Sequence, residues 1–231
     1  SCLLLSTYSQ LYAQFTQWRG LSTTWNDPNN WTNGVPTSTK ETRISIGSAG
    51  NYDPFVPAPS DGDTAKTQDL QIQSGGKLYF ANGGILIVYG TEKLQNDGLI
   101  SLGNGRIIFK NSITFLQGGT FDAGGGSLDF QGVTWENKPG STFDAGTSSV
   151  TFNGTTSQTI SGDISFYNAE IANNSGAVTL SGNITIVNSM VLDSGVSVNL
   201  ASGSLTLASS ATLQLESGSS LSLNGSFNNY G

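Results

Sequence analysis

Two stretches of the chain repeat at one fixed spacing. Thr120-Phe121-Asp122-Ala123-Gly124 returns as Thr142-Phe143-Asp144-Ala145-Gly146, 22 residues on. At the same offset, Leu128-Asp129-Phe130-Gln131-Gly132 matches Val150-Thr151-Phe152-Asn153-Gly154. A fixed period of 20–50 residues marks stacked equivalent units, because one short unit cannot bury its apolar face alone.

The rest of the chain is a string of short alternating segments. Examples are Arg43–Ile46, Leu70–Ile72, Lys77–Phe80, Ile85–Val88, Arg106–Phe109, Val178–Leu180, Ile184–Ile186 and Val196–Val198. Leu205–Leu207, Leu213–Leu215 and Leu221–Leu223 recur every eight residues. Each apolar-polar-apolar triplet places two apolar side chains on one strand face. Ser-Gly, Asn-Gly, Gly-Gly and Asp-Gly pairs separate them as turn formers. No run of ten residues carries a helical apolar pattern, so helix content is expected near zero.

These features predict an all-β fold: a single right-handed parallel β-helix, or solenoid, of about 22 residues per coil. Eight or nine coils stacked at ~4.8 Å give a rod of about 40 Å. An antiparallel sandwich or barrel is the alternative that the strand spacing also allows. The 22-residue identity and the shortness of the strands favour the solenoid. Phe121/Phe143 and Phe130/Phe152 are then expected to stack coil on coil. Bare sheet edges invite pairing with other chains, so a cap is expected. Residues 15–40 hold Trp18, Trp25 and Trp31, three of the four tryptophans, and two prolines. They read as an N-terminal cap, with the solenoid over 41–231 and a loop insertion near 50–66. The last residues, 221–231, remain repeat-like and carry no cap signature.

Composition narrows the chemistry. The 231 residues contain no histidine and one cysteine, Cys2. An intramolecular disulfide, a Ser-His-Asp triad, a Cys-His dyad and a Cys/His metal site are therefore excluded. The net charge of −7 argues against a phosphate-binding surface, so no nucleic-acid partner is expected. The last basic residue is Lys138, and residues 139–231 carry only Asp144, Asp163, Glu170, Asp193 and Glu216 as acids. A stretch so poor in titratable groups is badly equipped for acid–base chemistry and reads as scaffold.

Residues 1–14 read as the end of a secretory signal: an apolar run, then a small residue, with cleavage expected near Gln14–Phe15. The alternatives are a strand of the mature fold over Leu3–Phe15, or acylation of Cys2, which the following leucines disfavour. No run approaches 18 apolar residues, so no membrane span is expected.

Trp18-Arg19-Gly20, then Ser22-Thr23-Thr24-Trp25-Asn26-Asp27-Pro28-Asn29-Asn30-Trp31 and Gly34-Val35-Pro36-Thr37-Ser38, resemble the opening motif of large secreted surface proteins of Bacteroidota-type bacteria. Residues 150–162, Val-Thr-Phe-Asn-Gly-Thr-Thr-Ser-Gln-Thr-Ile-Ser-Gly, and Phe166–Gly176 followed by Val178-Thr179-Leu180, are similar to a repeat of the same proteins. The matches cover about half the chain. The resemblance implies an extracellular, adhesin-like β-helix, Sec export, often type IX secretion, and a C-terminal sorting domain. This sequence holds no such domain, so a fragment or processed product is expected. It implies nothing about biochemical activity.

Several residues are candidates for chemistry. Asp61-Gly62-Asp63, with Asp69 and Asp53 nearby, suits a hard cation such as calcium, yet lacks the further ligands of an EF-hand loop. A solvated loop stiffened by Pro54, Pro57 and Pro59 is the plainer reading. Trp18, Trp25 and Trp31 would suit a glycan-stacking platform, or the packing of the cap. A carbohydrate-active enzyme would draw on Asp97, Arg106, Lys110, Asp122, Asp129, Glu136 and Lys138. Asp122 and Asp144 should lie one above the other, but both precede Ala-Gly, which is turn chemistry. The scattered threonines form no flat Thr-x-Thr ice-binding array. The five N-x-[ST] triplets, such as Asn153-Gly154-Thr155, matter only in a glycosylating pathway.

The expectation is an extracellular structural or adhesive element without enzymatic activity, cofactor or resident metal. Its expected partners are other copies of itself, other surface proteins, or glycans. A carbohydrate-active enzyme and a non-catalytic glycan-binding module stand as alternatives.

Overall fold

The computed structural model describes residues 15–45, 50–59, 64–90, 94–111, 113–115 and 118–230. The expected signal segment, 1–14, lies outside them. The chain winds as a parallel β-solenoid of about eight turns with ~21 residues per turn. Among the described residues, helix is confined to a single 3-10 turn, Pro28–Asn30, capped by the Asp27 side chain. No helix among the described residues is long and apolar enough to cross a membrane.

Each coil contributes one rung to each of three faces. The first face opens with Phe15–Gln17, Glu41–Ile44, Leu70–Ile72 and Gln95–Asn96. It resumes with Ile113–Phe115, Thr134–Asn137 and Gln158–Ser161, then 178–181, 197–200 and Ser220–Leu223. The second face runs through Phe55–Val56, Lys77–Phe80, Leu99–Ser101, Thr120–Asp122 and Thr142–Asp144. Residues 164–166, 184–186 and 204–207 and Ser226–Asn229 extend it. The third face holds Ala65–Thr67, Ile85–Val88, Arg106–Phe109, Ser127–Phe130 and Ser149–Phe152, then 168–171, 189–192 and Thr212–Leu215. Every strand-to-strand pairing in these ladders is parallel.

The triplets spaced by eight residues at 205–207, 213–215 and 221–223 are thus the second, third and first faces in succession. The inserted segment near 50–66 is only partly a loop. Phe55–Val56 and Ala65–Thr67 within it are rungs of the second and third faces. The expected boundary at residue 40 also shifts in detail, because Phe15–Gln17 already pairs in register with Glu41–Arg43.

Alternation builds the core. On the third face Leu86, Ile107, Leu128, Val150, Ala169 and Met190 form one inward column. Val88, Phe109, Phe130, Phe152, Ile171 and Leu192 form the next, two residues along. All twelve are buried. Burial of each large apolar side chain contributes ~1.5–3 kcal/mol, and the columns make that gain continuous along the axis. Phe121 and Phe143 stack as expected, at 5.7 Å and 29°. Phe130 and Phe152 instead meet edge to face, at 5.8 Å and 70°. Trp135 packs against both rings of this pair. Its ring lies 5.7 Å from Phe130 and 5.6 Å from Phe152, edge-on to both.

Strand length departs from expectation in the last coils. Val178–Leu192 and Ser197–Leu207 each run as one strand across corners read as turns. Between the first and second faces, the fifth coil turns through four residues, 138–141, whereas the sixth uses two, Gly162-Asp163. Gly162, Gly182 and Gly203 stack at this corner with φ of +93, +120 and +81°. Glycine reaches these angles without a Cβ penalty. The corner therefore needs no loop, and the strand passes through.

Candidate binding groove

The three cap tryptophans are buried, with 1–2% of their surface exposed. Trp31 sits at the centre, edge to face with Trp18 at 4.8 Å and with Trp25 at 4.9 Å. Trp18 Nε1 donates to the Tyr52 carbonyl, and Trp31 Nε1 to the Trp25 carbonyl. Asn30, fully buried, closes the turn through Ser22 and the Thr24 carbonyl. The glycan-stacking platform is therefore corrected. These rings join the core cluster, and none offers a face to a sugar. An end of the stack has to be sealed, and large apolar rings with one polar handle each do it.

The calcium candidates Asp61 and Asp63 lie outside the described residues. The Asp69 carbonyl accepts from Thr42 N–H and the Thr67 hydroxyl, which ties it to the first coil. Among the described residues no group of three or more His, Cys, Asp or Glu side chains is placed to hold a metal ion.

Asp122 and Asp144 do pair in register. Each uses Oδ1 to accept from the backbone N–H two residues on, Gly124 and Gly146 respectively. Asp122 Oδ2 also accepts from the Ser101 hydroxyl. The turn chemistry read from Ala-Gly accounts for both. The remaining titratable candidates spread over separate faces. Arg106 pairs with Asp129 on the third face, Lys110 donates to Gln131, Lys138 pairs with Glu136 on the first face, and Asp97 sits at a corner.

The change of corner creates a feature that sequence reasoning missed. The four-residue turn of the fifth coil overhangs the tight Gly162-Asp163 corner of the sixth. Two adjacent depressions result, of about 400 and 440 Å³. They share Asn137, Ser141 and Asp163. The first extends over the second face, past Phe143, Ile164 and Asn183. The second lies against the turn itself, at Lys138, Pro139 and Gly162.

The groove mixes hydrogen-bonding groups with one aromatic surface. Asp163 is exposed, and its Oδ1 accepts from both N–H and Nδ2 of Asn183. Ser204 in turn donates to Asn183 Oδ1, which fixes the amide. Asn137 is buried; its Nδ2 donates to the Asp163 carbonyl at 3.3 Å, and its Oδ1 has no partner. Phe143 is half-buried, supported from behind by Trp135 at 5.5 Å and Phe166 at 5.9 Å. Two signals in the sequence mark the place: the shortening of the corner at Gly162-Asp163, and Pro139 two residues after Asn137.

Fold and groove define the class as a parallel β-solenoid with a polar exterior. Comparison with protein-family models, with curated proteins and with solved structures yields no match.

Proposed function

We propose that the chain is an extracellular structural or adhesive element of a cell surface. The observation that carries this reading is the continuous core and the parallel ladders along about eight coils. Solenoids of this kind are quasi-one-dimensional, with each coil held by its neighbours, and suit a rod that spans distance and presents long faces. The outward positions are mainly small and polar. Asn168 bonds Ser149 below and Asn188 and Ser189 above, and Ser181 bonds Ser202. Such ladders stiffen a surface without building acid–base chemistry.

Export and surface exposure rest on the resemblance at 18–38 and 150–180. Self-assembly into fibres is the extended form of the same reading, since parallel rungs pair through backbone groups wherever a sheet edge is left open. Leu215, Leu223 and Phe227 of the last rungs are exposed. The test is antibody labelling of intact, unpermeabilised source cells, with electron microscopy of the purified chain. Surface decoration together with rods or fibres is the expected outcome. Labelling that requires permeabilisation overturns the reading.

A further inference from the structure

We propose that the groove between the fifth and sixth coils binds a neutral glycan, through Asn137, Asp163 and Phe143. The inference deepens the adhesive reading above and rests on it.

The key residue is Asn137. At four other corners, an Asn or Asp spends its Oδ1 on the N–H two residues on. Asn96 accepts from Gly98, Asp122 from Gly124, Asp144 from Gly146, and Asn173 from Ser175. At Asn137 the residue two on is Pro139, which has no N–H. Its Oδ1 is therefore left without a partner in a buried side chain. Buried acceptors are rarely left so, and each exception calls for an explanation. Asn96 shows that the same corner can be closed: its Nδ2 reaches across to the Thr120 carbonyl while Gly98 satisfies its oxygen. Proline at 139 removes the internal partner at a corner that lines a groove. The terminal torsion of Asn is broad, so the free oxygen can turn to a hydroxyl seated there.

The surrounding groups select the ligand class. Asp163 Oδ2 has no protein partner among the described residues, which adds a second acceptor beside the first. Ser165 and Thr185 line the same depression with hydroxyls. Closely spaced acceptors and hydroxyls match a ligand whose every polar group both donates and accepts, and a pyranose has that character. Phe143 and Ile164 supply the apolar patch that the C–H face of a sugar ring covers. Each depression has the volume of a small-ligand site, so the pair offers two adjoining ring subsites. Charge excludes acidic polymers. Lys138 is paired with Glu136, and no basic residue follows it in the chain.

The test uses the full chain in native gels containing soluble β-glucan, α-mannan or dextran, with polygalacturonate and poly-lysine as charged controls. At least one neutral polysaccharide is expected to retard the protein, and the Asn137 side-chain amide resonances are expected to shift on titration with it. Pro139→Gly recreates the Asn-x-Gly turn and supplies the missing N–H. It is expected to weaken retardation at least tenfold with no loss in thermal midpoint. Asp163→Asn, at an exposed position, is expected to weaken it severalfold. The groove proposal is overturned if no neutral polysaccharide retards the chain, if only poly-lysine does, or if both variants bind like the parent. Surface labelling of intact cells would then still stand, so failure of the groove and failure of the adhesive reading are separable.

Discussion

Asp193 shows how one side chain can work against the stack that holds it. Its carboxyl is held above the ordinary aspartate value, first by burial and then by the charges of Glu170 and Glu216. Glu216 sits one coil on, where its N–H bonds the Leu192 carbonyl. A folded-state pKa above the unfolded one means that the site favours folding while the group is protonated in both states. That contribution is lost as pH rises through the folded value. Asp193→Asn is therefore expected to raise the melting midpoint by about 1 °C at neutral pH, as befits a partly exposed site. The gain should vanish below about pH 3, under the ordinary aspartate pKa. A gain of equal size at both pH values would show that charge is not its cause. At this scale the sequence was partly legible. The turn role of Asp122 and Asp144 could be read from the Ala-Gly that follows each. The role of Asn137 could not, because its significance lies in a hydrogen bond that Pro139 prevents.

The corner glycines decide what the elements look like. An added Cβ at Gly182 would lie 2.4 Å from the Gly162 carbonyl oxygen, and φ there is +120°. Both the contact and the dihedral oppose any other residue. Gly182→Ala is expected to cost at least ~2 kcal/mol, read as a lowered midpoint in thermal or denaturant unfolding. The same change at Gly195, where an added Cβ meets nothing within 4 Å, isolates the dihedral term and should cost about half as much. Within the core, Trp135 on the first face touches aromatic rings from both other faces: Phe130 and Phe152 on the third, Phe143 and Phe166 on the second. Trp135→Ala is expected to cost ~3–5 kcal/mol, the most of any single truncation in the fifth coil. Strand existence and facing were legible here, because period-two alternation reports burial directly. Strand length was not. Ser-Gly pairs such as Ser181-Gly182 read as turn formers, whereas the stacked glycines let one strand bend and continue with a register shift at Leu180/Ser181.

Across the whole molecule, stability should vary along the axis rather than between inside and outside alone. Each coil is stabilised by its two neighbours, so a rung with a neighbour on one side only holds about half the interface. The two ends of the described stack differ. At the first rungs, Trp18, Trp25 and Trp31 close the core, and Trp18 N–H bonds the Arg43 carbonyl. At the last, Asn224 and Tyr230 N–H bond inward to Leu200 and Leu207, while Leu215, Leu223 and Phe227 remain 39–47% exposed. The 22-residue repeat made the stack legible but not this asymmetry, since the cap motif names tryptophans without saying whether they face inward. Native-state hydrogen exchange separates the cases. Amides of Ser127–Phe130 and Ser149–Phe152 are expected to be the slowest, opening only with global unfolding. In the 231-residue chain taken alone, amides of Ser220–Leu223 and Ser226–Asn229 should exchange at least about a hundredfold faster, through local fraying of one rung. Thr42 and Ile44, under the tryptophan cap, should fall nearer the central coils. Equal protection at all three places would mean that the rod opens as one cooperative unit. Rung-by-rung addition would then not describe how it assembles.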